Sequence, residues 1–558
     1  MKPFISTILR ILSPKEKVKL AKLIIFDLVI GMLDIAFLGL LLVIINFYTK
    51  NTTLPKISFL PQALLNQNSI LPIGVFLLLF SFKNWFGFLG LKSQHHFFYE
   101  VASRLSKRNI LNYLTDHYSK FVNIDSSVQV RKISQQPIEF GHYILTNFQQ
   151  VVSQIILIFF TTCAILSYHP TLFLLLFLLL LPPVVSLAWF IRKKLKDVRA
   201  HTKIASERTI QHLQESLSGY VESNIYSKND FFIDRYYNYQ QQLNENLATQ
   251  QTLQSLPSRL IEVFAVLGFF ILIAINKWSS NTPPVNVLTI GIFVAASYKI
   301  IPGTVKILNC TGQMKTYRFI LDDLSLPGNK VSVTSDIQAR CPIKSLKFER
   351  VHFNVNDHAI LNDISFHMVA GDFAGVSAAS GKGKTTIINL LLGFLKPDIG
   401  AIYINNKITN EIERQCYRNK ISYVKQQPFF IHDSILKNIT LSDVKYNRDK
   451  LEEVLSFCGI DKVLDKYPEG LEKIIKENGK NISGGQRQRI MLARALYHDF
   501  DLLILDEPFG EMDDCSEKII LAQLQQLAQQ GKMILFITHN KGSLSFCNKI
   551  FSLDEEYV

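Results

Sequence analysis

The sequence predicts two domains, an all-α membrane domain followed by an α/β domain of the P-loop NTPase class. Roughly the first 310 residues contain six apolar runs of about 20 residues or more, each sufficient to cross a hydrocarbon core of roughly 30 Å. The remaining residues alternate strand-like and helical runs, and a glycine-bearing turn at 378–386 lies between a strand and a helix. We therefore expect a transmembrane domain over 1–330, a linker over 331–344 and a nucleotide-binding domain over 345–558.

The balance of charge is basic, with 60 Lys and Arg residues against 46 Asp and Glu residues. Such a balance suits either nucleic acid or an anionic membrane surface. The basic residues of the first half flank the apolar runs, which favours the membrane and argues against a nucleic-acid partner. None of the seven cysteines forms a Cys-x-x-Cys pair, which argues against zinc and disulfides and for a reducing compartment. No cleavable signal peptide is expected.

The apolar runs define the predicted topology. Residues 1–22 have apolar side chains at helical spacing followed by lysines, which predicts a helix lying in the inner membrane interface. The spans are expected near 23–48, 70–92, 145–168, 170–191, 257–276 and 285–309. Basic residues cluster after the second and fourth spans, so both termini and the nucleotide-binding domain are predicted to be cytosolic in a bacterial inner membrane.

Two long polar stretches, 93–144 and 192–256, are expected to continue the membrane helices into the cytosol. They contain few helix breakers, and a short cross-piece is predicted at each tip, near 122–130 and 217–230. Helices of this length would be long and rigid enough to contact the nucleotide-binding domain.

Several residues within the spans allow two interpretations. Asp27 is assigned to the inner interface, whereas Asp34 is a candidate for the transport path. Pro182-Pro183 and Pro302-Gly303 are either hinges or static kinks. One helical face either lines a cavity for an anionic head group or is simply solvated, and it comprises Lys92, His95, His96, Tyr99 and Ser103.

The turn at 378–386 has the pattern of a phosphate-binding loop. Only Lys384 fits the register of the phosphate-binding lysine, because Lys382 is followed by Gly383. Thr385 is placed to ligate Mg²⁺ through its hydroxyl, and Ala378 stands where the pattern has its first glycine. The predicted nucleotide-binding residues here are Ala379, Ser380, Gly381, Lys382, Gly383, Lys384, Thr385 and Thr386.

Further motifs follow in a fixed order. Gln426 follows a strand and offers an amide to Mg²⁺ and to an attacking water. A glycine-rich turn, Ser483, Gly484, Gly485 and Gln486, begins a basic helix suited to phosphate. The buried strand 502–506 ends at Asp506, a predicted metal ligand, and Glu507, predicted to polarise the water for attack on the γ-phosphate. A second buried strand ends at His539, predicted to bind the γ-phosphate.

These motifs resemble those of ATP-binding-cassette (ABC) exporters of the half-transporter kind. The likeness covers Walker A (378–386), the glutamine loop (Gln426), the signature (482–486), Walker B (502–507) and the switch histidine (His539). It implies a transport-coupled ATPase in which two chains, a homodimer in preference to a heterodimer, enclose ATP and Mg²⁺. Each nucleotide would then lie between Lys384 of one chain and Ser483–Gln486 of the other.

The sequence also departs from the ABC pattern. Ile482 replaces leucine in the signature, and Val355 stands where an aromatic residue usually stacks on adenine. Stacking would then fall to Phe353, His358 or a partner group. Phe509-Gly510-Glu511-Met512 replaces the usual small-residue loop after Walker B.

The predicted function is an ATP-driven exporter or flippase that moves an amphiphilic molecule by alternating access. The N-terminal pattern Ile11–Lys17 and Asp34 are similar to the lipid-linked oligosaccharide flippase subgroup, which implies a lipid or lipid-linked saccharide as cargo. A secreted peptide is the alternative cargo. An ATP-gated channel or regulatory subunit without uphill transport is the alternative function, and the presence of Glu507 favours transport over it.

Overall fold

A computed structural model describes residues 2–49, 70–115, 125–168, 170–278, 287–325, 342–355, 358–377, 382–476 and 479–553. The chain divides into two compact units. A helical unit comprises Met1–Asp116 and Asn123–Asn329, and an α/β unit contains Lys330–Val558. The linker predicted over 331–344 falls mostly outside the described residues.

The helical unit consists of long helices joined by short ones. Its helices are α1 (Lys2–Ile11), α2 (Pro14–Thr49), α3 (Leu71–Thr115), α4 (Ser126–Val130), α5 (Gln136–Glu139), α6 (Thr146–Tyr168), α7 (Pro170–Ser218), α8 (Tyr220–Ile225), α9 (Asn229–Trp278), α10 (Val287–Thr316) and α11 (Arg318–Ser325). Two π-helical segments, Arg131–Gln135 and Phe140–Leu145, flank α5. Helix α10 ends at Thr316, and the chain turns at Tyr317 before α11 begins.

Each predicted span lies on a long helix, namely α2, α3, α6, α7, α9 or α10. Residues 285 and 286 of the last span fall outside the described residues. Within the described part of the chain, three helical stretches have the length and composition to cross a membrane: Pro14–Ile45, Leu71–Thr115 and Ser126–Cys163. Helices α7 and α9 extend well beyond the apolar runs, as expected for cytosolic extensions.

Short helices lie at the predicted cross-pieces. Helix α4 falls within 122–130, although 122–124 lie outside the described residues, and α8 falls within 217–230. Both predicted proline sites lie inside continuous helices, with Pro182-Pro183 in α7 and Pro302 in α10. A Cβ on Gly303 would lie 3.0 Å from the Gln154 side chain, so the absence of a side chain there lets α10 approach α6 closely.

The N-terminal region differs from the prediction of one interfacial helix over 1–22. Helix α1 ends at Ile11, and Pro14 begins α2, because proline is tolerated in the first turn of a helix but not in its interior. The apolar face of α1 is buried against protein, since Ile8 is fully buried in a cluster with Phe97 and Leu105 of α3. The face predicted to contact lipid therefore helps to form the core of the helical unit.

Polar side chains connect α2 to neighbouring helices at two levels. Asp34 forms an ion pair with Lys83 of α3, whose side chain is buried. Asp27 accepts hydrogen bonds from Gln94 of α3 at 2.6 Å, and from Gln149 and Ser153 of α6 at 3.0 and 3.2 Å. The carboxylate of Asp27 therefore joins three helices, a contact that the interfacial assignment did not anticipate.

The α/β unit contains a mainly parallel sheet and an antiparallel one. Its strands are β1 (Ser345–Val355), β2 (His358–Val369), β3 (Phe373–Ser377), β4 (Ile399–Ile404), β5 (Lys407–Ile408), β6 (Ile421–Val424), β7 (Asp433–Ser434), β8 (Ile474–Ile475), β9 (Leu502–Asp506), β10 (Met533–Thr538) and β11 (Lys549–Ser552). Its helices are α12 (Lys384–Leu391), α13 (Glu411–Cys416), α14 (Ile435–Thr440), α15 (Arg448–Phe457), α16 (Asp461–Leu464), α17 (Gly484–Tyr497), α18 (Asp514–Gln529) and α19 (Lys541–Leu544).

The parallel sheet positions the candidate site. Its strand order is β11-β3-β10-β9-β6, while β2-β1-β4-β5 form the antiparallel sheet and β7 pairs with β8. Strands β9 and β10 are buried along their whole length, which explains their continuous apolar sequences. Because the strands of the larger sheet are parallel, the residues following β3, β6, β9 and β10 meet at one edge.

Arg414 stabilises the α/β unit by hydrogen bonds to three backbone carbonyl groups. Its side chain is fully buried and donates to the carbonyl oxygens of Leu390, Thr409 and Leu395 at 2.8, 2.6 and 3.1 Å. Arg414→Met would leave these acceptors without their donor, so we expect it to destabilise the unit by about 3 kcal/mol. Hydrogen exchange of the β4 and α12 amides measures this loss. The exposed Arg448→Met is the control and should leave the exchange unchanged.

Candidate functional site

The phosphate-loop lysine lies at the start of a helix. Residues 378–381, including the predicted Ala379, Ser380 and Gly381, lie outside the described residues. Gly383 precedes α12 with φ of +82°, and a Cβ there would lie 3.1 Å from the Ile360 carbonyl oxygen. Only glycine fits this left-handed, crowded position without strain. Lys384, Thr385 and Thr386 follow in the first turn of α12, where backbone N–H groups favour an anion.

Two carboxylates end strand β9, in different environments. Asp506 is buried, and its Oδ2 accepts a hydrogen bond from the Tyr423 hydroxyl at 3.2 Å. Glu507 has a φ of +47°, which is uncommon for a residue other than glycine, and its N–H donates to the Ile537 carbonyl at 2.9 Å. Left-handed backbone at such a position costs free energy and is concentrated at functional sites.

Three of the predicted residues converge on Glu507. Lys384 forms an ion pair with Glu507 Oε1, and Gln426 Nε2 donates to Oε2 at 2.9 Å. His539 Nδ1 lies 3.5 Å from Oε1, and its ring is largely exposed. Segments following β3, β6, β9 and β10 thus meet around one carboxylate. This arrangement can hold a phosphate against Lys384 and place a base beside it.

The two carboxyl groups have pKa values shifted in opposite directions. Burial raises the pKa of Asp506, and the charge of Glu507 adds to that rise, while the Tyr423 hydroxyl and nearby lysines oppose it. Burial would also raise the pKa of Glu507, but the hydrogen bond and charge of Lys384, together with His539, lower it below its usual value. Glu507 is therefore ionised at neutral pH, as a group that accepts a proton must be.

The donor set around Asp506 suits a hard divalent cation. Asp506 is a buried carboxylate with no basic group hydrogen-bonded to it among the described contacts, and its ionised form is disfavoured by burial. A cation would compensate that burial. The other two predicted ligands, Thr385 and Gln426, carry a hydroxyl and an amide oxygen, and hard oxygen ligands of this kind are those that Mg²⁺ prefers.

The signature residues form a separate turn. Ser483 is the N-cap of α17, and Gln486 completes a capping box by accepting the Ser483 N–H at 3.0 Å. Gln486 also accepts the Tyr467 hydroxyl at 3.1 Å. The described contacts contain no hydrogen bond between this turn and the Lys384–Glu507 cluster. Among the described contacts of one chain, the residues that meet at Glu507 are Lys384, Gln426 and His539.

The candidate adenine contacts lie close together on β1 and β2, where Val355 pairs directly with His358 across the two strands. Val355 is 47% exposed, Phe353 packs partly buried against the core of the unit, and His358 is exposed. Residues 356 and 357 lie outside the described residues, as do Glu477 and Asn478 of the loop before the signature.

Two residues near the site were given no role by the sequence argument. Tyr423 belongs to the predicted glutamine-loop stretch, and its position on a strand adjacent to β9 is the signal that would have identified it as a partner of Asp506. Glu511 lies beside the signature turn and pairs with Arg487, a contact that no sequence spacing indicates.

Comparison with known proteins agrees with this geometry. Residues 361–510 match the sequence family described as ABC transporter. Superposition on a bacterial Atm1-family ABC exporter with ATP bound gives a TM-score of 0.75, at 16% identity, over 97% of this chain and 93% of that one. The C-terminal unit is an ABC transporter domain, and the chain has the ABC exporter fold.

Relatives of the ABC domain carry names that refer to export. A Rickettsia typhi protein named as an export ATP-binding/permease protein is 34% identical over 217 residues, covering 38% of each chain. A Burkholderia pseudomallei protein named ATP-dependent lipid A-core flippase is 31% identical over 214 residues, covering 38% of this chain and 36% of that one. The matched region thus spans well under half of these relatives. The predicted fold class, an α-helical membrane domain followed by an α/β ABC domain, is confirmed.

Proposed function

We propose that this chain is half of a dimeric exporter that couples ATP hydrolysis to movement of an amphiphilic molecule across a bacterial inner membrane. The observation that supports it most is the convergence of Lys384, Gln426 and His539 on Glu507. These groups provide a phosphate-binding cation, a polar amide and a proton acceptor in one place, as phosphoryl transfer requires.

The first step is phosphate binding at Lys384. The lysine is paired with Glu507, so the β- and γ-phosphates of ATP replace that carboxylate as its partner. Glu507 is then free to accept a proton. The N–H groups of the first turn of α12 provide further donors to the phosphates.

The second step is attack of water on the γ-phosphorus. The water transfers a proton to Glu507 as its oxygen forms a bond to phosphorus, and the bond from phosphorus to the bridging β–γ oxygen breaks, giving ADP and phosphate. Gln426 orients the water, and His539 donates a hydrogen bond to the γ-phosphate. The positive φ of Glu507 fixes the direction of its side chain, so its position requires little reorganisation during the reaction.

Thr385, Gln426 and Asp506 are the residues that would hold Mg²⁺. When bound, Mg²⁺ neutralises the charge that develops on the phosphate oxygens. Metal chelation should therefore reduce ATP hydrolysis at least about 100-fold. Phosphate release is measured with excess EDTA, and excess Mg²⁺ should restore its rate. Undiminished release in EDTA would contradict this assignment.

We propose a homodimer in which each nucleotide lies between Lys384 of one chain and Ser483–Gln486 of the other. No hydrogen bond among the described contacts joins the signature turn to the Lys384 group of the same chain, which supports this arrangement. The glycine-rich start of a helix can bind a phosphate. Here the phosphate would belong to the nucleotide bound at Lys384 of a second copy of the chain. Closing of the dimer would alternate inward and outward access.

The proposed cargo is a lipid or lipid-linked saccharide. The name of the lipid A-core flippase relatives supports this class, as does a row of exposed side chains on α3 that suits an anionic head group. This row consists of Lys92, His95, His96, Tyr99 and Ser103. Replacing Lys92, His95 and His96 together by alanine should abolish stimulation of ATP hydrolysis by cargo while sparing the basal rate. Full stimulation in that variant would remove this row from the cargo site.

The decisive experiment places the purified full chain in lipid nanodiscs and in proteoliposomes. ATP hydrolysis is measured against anionic glycolipids, neutral glycolipids and secreted peptides, and transbilayer movement of labelled glycolipid is measured in parallel. Glycolipid stimulation with ATP-dependent movement supports the proposal. Stimulation by peptides alone would favour a peptide exporter. Hydrolysis without movement of any cargo would favour an ATP-gated channel or regulatory subunit.

A further inference from the structure

Glu511, in the loop between β9 and α18, lies directly against the signature turn. Its Oε2 is 2.9 Å from Arg487 Nη2, and a Cβ on Gly484 would lie only 2.0 Å from that same oxygen. Gly484 is the first residue of α17. The carboxylate therefore occupies the space beside the start of the helix, where a side chain at position 484 would otherwise be.

The backbone of Glu511 is fixed on the same turn. Its N–H donates to Gln488 Oε1 at 3.0 Å, and its carbonyl oxygen would lie 3.3 Å from a Cβ on Gly485. The side chain is 51% exposed. The hydrogen bond to Gln488 and the ion pair with Arg487 thus hold the loop against the start of α17, while the carboxylate remains open to a ligand arriving from solvent.

The carboxylate lies beside a position that a phosphate would favour. The first N–H groups of a helix have no acceptor within it, and together with the helix dipole they attract negative charge. Glu511 places a negative charge next to these groups, where its carboxylate pairs with the guanidinium of Arg487. A γ-phosphate that docked on the turn would meet a like charge, and two like charges repel by about 1 kcal/mol at roughly 4 Å in water.

We propose that Glu511 competes with the γ-phosphate of ATP for the signature turn and so weakens the selection of ATP over ADP. The inference rests on the proposed function, in which the partner's nucleotide docks on Ser483–Gln486. Binding of ATP must displace the carboxylate or overcome its repulsion. ADP has no phosphate at this position and is unaffected. Glu511 thereby holds the dimer open until ATP is abundant.

The test compares variants of the full chain reconstituted in lipid nanodiscs. Glu511→Gln removes the charge at nearly constant shape, Glu511→Asp retains the charge, and Glu472→Gln removes a charge from an exposed position in a separate 3₁₀ turn. The readouts are the KM for ATP in hydrolysis, the Kd for a non-hydrolysable ATP analogue and the Kd for ADP. Thermal unfolding verifies that each variant is folded.

Glu511→Gln should lower the KM for ATP and the Kd for the analogue about tenfold, and leave the Kd for ADP unchanged. Glu511→Asp should stay within about threefold of the unaltered chain, and Glu472→Gln should match it. If Glu511→Gln changed the affinities for ATP and ADP equally, or changed neither, the role of Glu511 would be overturned. ATP hydrolysis by the unaltered chain would still uphold the proposed function. If the folded, unaltered chain neither bound nor hydrolysed ATP, the proposed function and this inference would both fall.

Discussion

Glu507→Gln should hydrolyse ATP at least about 100-fold more slowly than the unaltered chain, while still binding it. The amide retains the shape of the carboxylate but cannot accept a proton from water. The substitution also removes the ion pair with Lys384, leaving that lysine available for phosphate. We therefore expect ATP to bind at least as tightly and to trap a closed dimer.

Phosphate release, retention of labelled ATP and cross-linking between the two ABC domains in nanodiscs measure the three parts of this prediction. Glu472→Gln makes the same chemical change at an exposed site and should preserve the rate. Unchanged phosphate release in Glu507→Gln would exclude Glu507 as the base. Loss of ATP binding would instead indicate that the carboxylate stabilises the site structurally.

Asp34→Asn is expected to destabilise the helical unit by about 3–5 kcal/mol. It removes the carboxylate that pairs with Lys83, whose side chain is 6% exposed and lies 4.6 Å from the centroid of the Phe80 ring. An ammonium group that loses its counter-charge in an apolar environment is costly to keep buried. The reduced stability should appear as lower yield and a lower unfolding temperature.

A second substitution distinguishes charge from packing. Asp34→Asn combined with Lys83→Met removes both charges and should recover most of the lost stability, because an apolar replacement of a buried pair is often neutral. Glu100→Gln breaks the exposed pair with Lys19, which is 2.8 Å long, and should change stability by less than about 1 kcal/mol. Failure of the double variant to recover would mean that Asp34 acts through something other than its pair with Lys83.

Much of the architecture could be predicted from local sequence. The apolar runs predicted helices because about 20 apolar residues have few other stable arrangements in a membrane. The run ending at Asp506 and the run before His539 were predicted to be buried strands, and the structure makes them adjacent and parallel. A parallel sheet brings the residues after its strands to one edge, and there the structure places Gln426, Glu507 and His539 beside Lys384.

Contacts between residues distant in sequence could not be predicted in this way. The amphipathic pattern of α1 fits burial against lipid or against protein equally well, and only the position of α3 decides for protein. Asp27 resembled an interfacial residue because its three donors lie 67 to 126 residues away. The conformation of Glu507 also depends on its bond to the neighbouring strand.

The sequence by itself predicted which residues would carry phosphate chemistry and that they follow a membrane-type half, since both predictions rest on short-range patterns of polarity and residue type. Only the tertiary structure decided which charges meet: Lys384 with Glu507, Asp34 with Lys83, and Glu511 with the signature turn. The physical reason is that a charge pair depends on distances of a few ångströms between elements, and those distances are fixed by packing rather than by sequence separation.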